Sequence, residues 1–178
     1  AVPRRGRDVR AQLAIGIETA FGGGRERFSL NDARGERTLE VRIPAGVLPG
    51  QHIRLAGQGH AGSHGGPAGD LILEVALRDD PRFRLEGRDV HVTLALAPWE
   101  AALGASVKVP TLAGEVELRI PAGSDSGRRM RLRGKGWPGQ PAGDQIVLLE
   151  VHAPPATSDA QRALYEQMAQ AFTFDPRG

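Results

Sequence analysis

The sequence predicts a mainly β protein: two tandem small β-sandwich domains, over 1–80 and 81–153, followed by a C-terminal amphipathic helix and tail over 154–178. Three observations carry this expectation. The passage VRIPAGVLPGQHIRLAGQG at 41–59 returns as LRIPAGSDSGRRMRLRGKG at 118–136, keeping the Arg-Ile-Pro-Ala-Gly run and three later glycines at an offset of 77 residues. GRDV at 6–9 recurs at 87–90, and PAGD at 67–70 recurs at 141–144, so duplication of one small unit explains every match. Apolar residues within each copy alternate with a period near two, and after Ala153-Pro154-Pro155 the period becomes helical.

Each element follows in chain order. Val9, Ala11, Leu13, Ile15 and Ile17 alternate with more polar or smaller neighbours, as on a half-buried strand. Leu39, Val41 and Ile43 do the same before the Ile-Pro-Ala-Gly corner. There proline sets one dihedral and glycine permits an unusual one, which makes a sharp turn into a further strand. The polar turn Asp79-Asp80-Pro81-Arg82 is the expected boundary between the domains. Val90, Val92, Leu94 and Leu96, then Val116, Leu118 and Ile120, repeat the strand pattern in the second copy. Ser158 is a good N-cap with Gln161 three residues on. The apolar face that follows runs through Ala160, Ala163, Leu164, Met168, Ala171 and Phe172, a helix with little to bury against unless it meets the second sandwich or a second chain.

Composition removes several classes of function. The 178 residues include no cysteine, so disulfide scaffolds, thiolate metal sites and cysteine nucleophiles are excluded together. No apolar run has the length of a membrane span, and the opening AVPRRGRDVR lacks a signal-peptide core, so the expectation is a soluble, cytoplasmic protein with no membrane partner. Net charge is only +2, and arginine supplies nearly all the base, with Lys108 and Lys135 the sole lysines. Gly57-Gln-Gly59-His-Ala-Gly62 and Gly134-Lys-Gly136-Trp-Pro-Gly139 fit a dinucleotide fingerprint formally. A strand rather than a helix follows each, so they read as hairpin loops. His60 and His64 share a glycine-rich loop with no third ligand nearby, and Asp125 occupies the centre of what would otherwise be a nucleophile elbow. The expectation is therefore a protein without catalysis, metal or cofactor.

Two binding surfaces remain. Arg129, Arg131 and Arg133 alternate with Met130 and Leu132, so their guanidinium groups share one strand face, with Arg128 and Lys135 beside them. That stripe reads either as a contact for nucleic-acid phosphates or as a solvated face balanced by acids. Leu13, Phe28, Leu30 and Phe83 read either as ordinary core or as an apolar slot beside an open strand edge, with Arg25 and Arg27 flanking Phe28.

The repeated VRIPAGVLPGQHIRLAGQG, with GGPAGDLILEV, the 97–124 run APWEAALGASVKVPTLAGEVELRIPAGS, RLRGKG and FDPR, resembles the C-terminal region of class B DnaJ-like J-domain co-chaperones, most closely the bacterial members that also bind curved DNA. The resemblance spans nearly the whole chain. It implies two β-rich client-binding domains and a C-terminal helix that makes a V-shaped homodimer, here through Leu164, Met168 and Phe172. It also implies a peptide groove at Ala11, Leu13, Phe28, Leu30 and Phe83, with Arg25 and Arg27 as a basic rim. Unfolded or extended clients and the acidic tail of a DnaK-type chaperone would bind there. DNA, through Arg128, Arg129, Arg131, Arg133 and Lys135, is the alternative partner, which would place the protein on the nucleoid. Two positions depart from the pattern: Ala11 is small and makes the pocket shallower, and Glu26 interrupts the rim. No His-Pro-Asp triplet occurs, so the ATPase-stimulating J domain is expected to lie outside these residues, and the chain alone is expected not to activate a DnaK-type ATPase.

Overall fold

The structure, a computed structural model, describes residues 1–32 and 34–178. The first copy runs β1 (Val9–Ile15), α1 (Ile17–Gly22), β2 (Gly24–Asp32), β3 (Gly35–Ile43), β4 (His52–Leu55) and β5 (Leu71–Leu77). After β6 (Arg84–Glu86) the order returns as β7 (Asp89–Leu96), α2 (Pro98–Leu103), β8 (Ala105–Thr111), β9 (Gly114–Ile120), β10 (Arg129–Leu132) and β11 (Gln145–Val151). Helix α3 (Asp159–Ala171) follows. The predicted duplication is thus a duplication of elements.

Each copy sets a mixed sheet over a two-stranded antiparallel ribbon, β2–β3 in the first and β8–β9 in the second. The first sheet has the order β1-β5-β4, with β1 parallel to β5; the second has β10-β11-β7-β6, with β7 parallel to β11. Alternation decides which faces meet. Leu13, Ile15, Val41, Ile43, Leu71, Leu73 and Val75 are buried in the first copy, and Val90, Val92, Val109, Ile120, Val147 and Leu149 in the second. Each such aliphatic side chain contributes about 1.5–3 kcal/mol through burial. In the second copy Gln145 Nε2 also donates to the Pro110 carbonyl at 2.8 Å, tying sheet to ribbon.

Two short helices were not anticipated. Ile17, which continues the alternation of β1, instead opens α1, because the chain must turn back toward β2 within seven residues. The Ile-Pro-Ala-Gly corner leads into a two-turn loop over 44–51 rather than directly into a strand. It docks on α1: Gly46, at φ +79°, donates its N–H to the Ala20 carbonyl at 2.8 Å.

The recurring GRDV and PAGD motifs form the same latch in both copies. Asp70 accepts from Gly57 N–H (3.0 Å) and Arg54 Nη1 (2.6 Å), while its own N–H donates to Asp8 Oδ1 (2.7 Å). Asp144 repeats this with Gly134 N–H (2.9 Å), Arg131 Nη1 (2.6 Å) and Asp89 Oδ1 (2.9 Å). The PAGD glycine is needed for close approach: a Cβ on Gly143 would lie 1.8 Å from the Arg88 carbonyl oxygen.

One buried side chain joins the copies, in addition to the exposed Arg82–Glu18 ion pair at 2.9 Å. Trp137, fully buried in the loop after β10, donates Nε1–H to the Gly46 carbonyl at 3.0 Å and packs edge-on against Phe21 of α1 at 5.9 Å between ring centroids.

Candidate functional site

The slot expected from Leu13, Phe28, Leu30 and Phe83 falls at two strands, β1 and β2, each paired on one edge only. Val9 N–H donates to the Asp70 carbonyl and the Ile15 carbonyl accepts from Arg78 N–H, both at 2.8 Å. The backbone groups of the odd-numbered residues of β1 therefore face β5, and those of Arg10, Gln12 and Ala14 face outward. No strand among the described residues takes that outer edge, and β2 is likewise paired only with β3. In the second copy the matching edge is filled, because β6 lies antiparallel to β7, with Arg84 opposite His91 and Glu86 opposite Asp89. The duplication thus contains its own comparison: one edge closed by the chain itself, one left open.

Phe28 and Leu30 project from the inner face of β2 and are half-buried, as is Ala11 on β1. Two arginines mark the limits of the slot. Arg78 Nη1 lies 3.3 Å from the Ala14 carbonyl and 3.6 Å from Glu26 Oε1, bridging β1 to β2. Arg37, opposite Leu30, donates to Asp32 Oδ2 (2.9 Å) and to Gln58 Oε1 (2.9 Å), holding the far end of the ribbon to the loop after β4. Glu26, which interrupts the arginine run in sequence, therefore has a partner within the slot.

The other expected residues fall elsewhere. Leu13 and Phe83 are each only 3% exposed, so they form floor and support rather than open surface. Phe83 N–H donates to Asp80 Oδ1 at 2.9 Å, and the Arg82 guanidinium stacks over its ring at 4.8 Å. Arg25 and Arg27 do not rim the slot. The two-residue period places them on the opposite face of the ribbon from Phe28 and Leu30.

The arginine stripe is divided. Arg129 and Arg131 are exposed on β10 and Arg133 in the turn after it, but Arg131 belongs to the Asp144 latch and lies 3.8 Å from Asp89 as well. Its first-copy counterpart, Arg54, holds Asp70 in the same way. The Gly134 N–H, followed by the Arg131 guanidinium, holds the Asp144 carboxyl below its ordinary range, so Arg131 faces an ionised partner rather than standing free. Arg128 reaches Ser124 Oγ at 3.5 Å. Arg129, Arg133 and Lys135 are exposed and make no ion pair among the described residues.

Helix α3 is capped as the sequence predicts, with Gln161 N–H donating to Ser158 Oγ at 3.2 Å. It buries no residue. Leu164 (61%), Met168 (47%) and Phe172 (64%) stay exposed and, with Pro98, Trp99 and Pro155, line an open groove of about 610 Å³.

Comparison with known proteins supplies the family. The model for the DnaJ C-terminal domain matches residues 9–154, which cover every strand of both copies. The chain belongs to the DnaJ C-terminal domain family. It is 44% identical over 184 residues to a curved DNA-binding protein of Coxiella burnetii, covering 98% of this chain and 59% of that protein. Curved DNA-binding proteins of Pseudomonas putida and Citrobacter koseri are each 42% identical, covering 98% and 97% of this chain and 58% and 60% of theirs. The chain therefore spans about three fifths of the length of the curated relatives it matches. Among the described residues no helix is long and apolar enough to cross a membrane.

Proposed function

We propose that this chain is the substrate-binding and dimerisation region of a DnaJ-type co-chaperone. It takes unfolded or extended polypeptide as an added strand and presents it to a DnaK-type chaperone in the cytoplasm. The observation that carries the reading is the open pair of edges, β1 and β2, beside the half-exposed Phe28 and Leu30. Main-chain hydrogen bonds to such an edge give affinity without regard to sequence, and the slot selects apolar side chains. The β6–β7 pairing supports it, since it is the same strand addition made within the chain. The uncovered face of α3 fits a second copy of the chain, and two slots on one dimer raise the effective concentration for a long client.

Binding of a permanently unfolded, carboxymethylated polypeptide tests this. Phe28→Ala removes an apolar contact worth about 1.5 kcal/mol, which weakens binding roughly tenfold. A client peptide N-methylated at alternate residues, which cannot complete the ladder, is expected to bind no better than the variant does. Equal binding of methylated and unmethylated peptides would show that no strand is added.

A second reading, sequence-tolerant binding of DNA, is favoured by the relatives named curved DNA-binding proteins and by the exposed Arg129, Arg133 and Lys135. Phosphate contacts made this way are salt-sensitive, whereas capture of an apolar segment is not. On this reading the protein also acts on the nucleoid.

A further inference from the structure

The two ribbons, built to one plan, carry different charges on their solvent faces. Residues directly opposite in an antiparallel pair share a face. On β2–β3 the exposed pairs are Arg25 with Arg42, Arg27 with Glu40, Ser29 with Thr38 and Asn31 with Glu36. On β8–β9 the corresponding face carries Ser106 with Arg119, Lys108 with Glu117 and Pro110 with Glu115. The second copy keeps one opposite-charge pair and a balanced face. The first places two arginines directly across from each other, with Arg27 next along and Glu40 as the one acid among them.

Like charges directly opposite destabilise a ribbon, so the arrangement has a cost that an anion would relieve. Inside the chain the relief is slight. Arg25 lies 3.5 Å from Glu40, but the two side chains are 74% and 62% exposed, a setting in which an ion pair contributes little. Arg27 and Arg42 make no ion pair among the described residues. Beside the pair is a depression of about 420 Å³ whose remaining lining is Gly22, Gly23, Gly24, Ile43, Pro44 and Ala45, where the three glycines and Ala45 leave room for an anion. Further along the same face Ser29, Asn31 and Thr38 offer neutral hydrogen-bonding groups, and the second acid of the face, Glu36, sits opposite Asn31 at the end away from Arg25 and Arg42. Arginines together with Ser, Thr and Asn are the side chains that contact phosphate oxygens, and a two-stranded ribbon fits the roughly 12 Å width of the DNA major groove.

We infer that the outer face of β2–β3, centred on Arg25, Arg27 and Arg42, is a phosphate-contact surface for duplex DNA. This rests on the DNA-binding reading and places the contact on the first copy, on the side of the ribbon opposite the slot, rather than on the β10 stripe. A dimer would carry two such faces, leaving both slots free for polypeptide.

The test is fluorescence anisotropy of a labelled duplex with the whole chain between 50 and 200 mM salt. Each phosphate contact contributes about 0.9 to the slope of log affinity against log salt. Arg25→Ser with Arg42→Ser, the first of which copies Ser106 of the other ribbon, is expected to make the slope shallower by about 1.8 and to weaken binding about sixtyfold at 0.1 M salt. Arg27→Ser alone is expected to remove about 0.9. All three side chains are exposed, and a thermal midpoint no lower than the parent's confirms that the variants fold. An unchanged slope in the ribbon variants, with a loss in a variant lacking Arg129, Arg133 and Lys135, overturns this placement while DNA binding stands. Failure of the unaltered chain to bind duplex at 50 mM salt overturns the DNA reading and the placement with it.

Discussion

Removing the indole of Trp137 is expected to weaken both copies at once. Trp137 is fully buried, and its N–H donates to the Gly46 carbonyl of the other copy at 3.0 Å. Gly46 in turn bonds to the Ala20 carbonyl of α1, and Phe21 of the same helix meets the indole edge at 5.9 Å. Truncating a buried tryptophan to alanine costs about 3–5 kcal/mol. At about 2–4 °C per kcal/mol for a chain of this size, Trp137→Ala lowers the melting temperature by about 6–20 °C. Trp137→Phe keeps most of the apolar contact and deletes the donor, leaving the part-buried Gly46 carbonyl without it at about 1 kcal/mol, or about 2–4 °C. Calorimetry reads the midpoint and the cooperativity: one transition for the intact chain, two for Trp137→Ala as the copies uncouple. In a Trp99→Phe background, which removes the other, 59% exposed indole, emission reports Trp137 alone and shifts to the red as the joint opens. A midpoint within about 1 °C of the parent for Trp137→Ala would refute the reasoning, because no buried, hydrogen-bonded indole is lost so cheaply.

Acid is expected to open the two latches. Asp70 titrates below its ordinary 3.8 because of the Gly57 N–H and then the Arg54 guanidinium, and Asp8 does so chiefly through the Asp70 N–H. The folded chain therefore binds these protons less readily than the unfolded chain. The contribution to stability is complete above about pH 4 and is lost as pH falls through the depressed folded values. Melting temperature is expected to be flat from pH 7 to 5 and to fall below about pH 4, with a shallower acid limb in Asp70→Asn/Asp144→Asn; an unaltered acid limb in that variant contradicts the latch. Truncation after Thr157 removes Leu164, Met168 and Phe172 and is expected to convert a dimer to a monomer in light scattering; an unchanged mass moves the dimer contact off α3.

Much of this architecture was legible in the chain because its signals are local. Prolines and positive-φ glycines at fixed spacing exposed the duplication, alternation located β3, β7 and β9, and Ser158 with Gln161 marked the start of α3. Helix α1 was hidden because six residues are too few to establish a helical period and Ile17 prolongs the alternation of β1. Helix α2 did carry a readable start, Pro98 in its first turn and Glu100 accepting from the Ala97 N–H at 2.9 Å. The candidate slot was half legible. Phe28 and Leu30 lie where the alternation puts them, but the same period sends Arg25 and Arg27 to the far face. Arg78 and Arg37 carried no motif that set them apart as ties at its two ends.

By itself the order of residues determined two similar β units, a terminal helix and the set of side chains that can be apolar surface or core, since turn chemistry and periodicity act over a few neighbours. Only the tertiary structure decided that β1 pairs in parallel with a strand 62 residues away, that β6 closes one edge and leaves its twin open, and that Arg131 is held by Asp144. It also decided that an indole of the second copy is buried against the first. Each depends on groups distant in sequence meeting across a folded core, where pairing satisfies polar groups that burial would otherwise leave unmet.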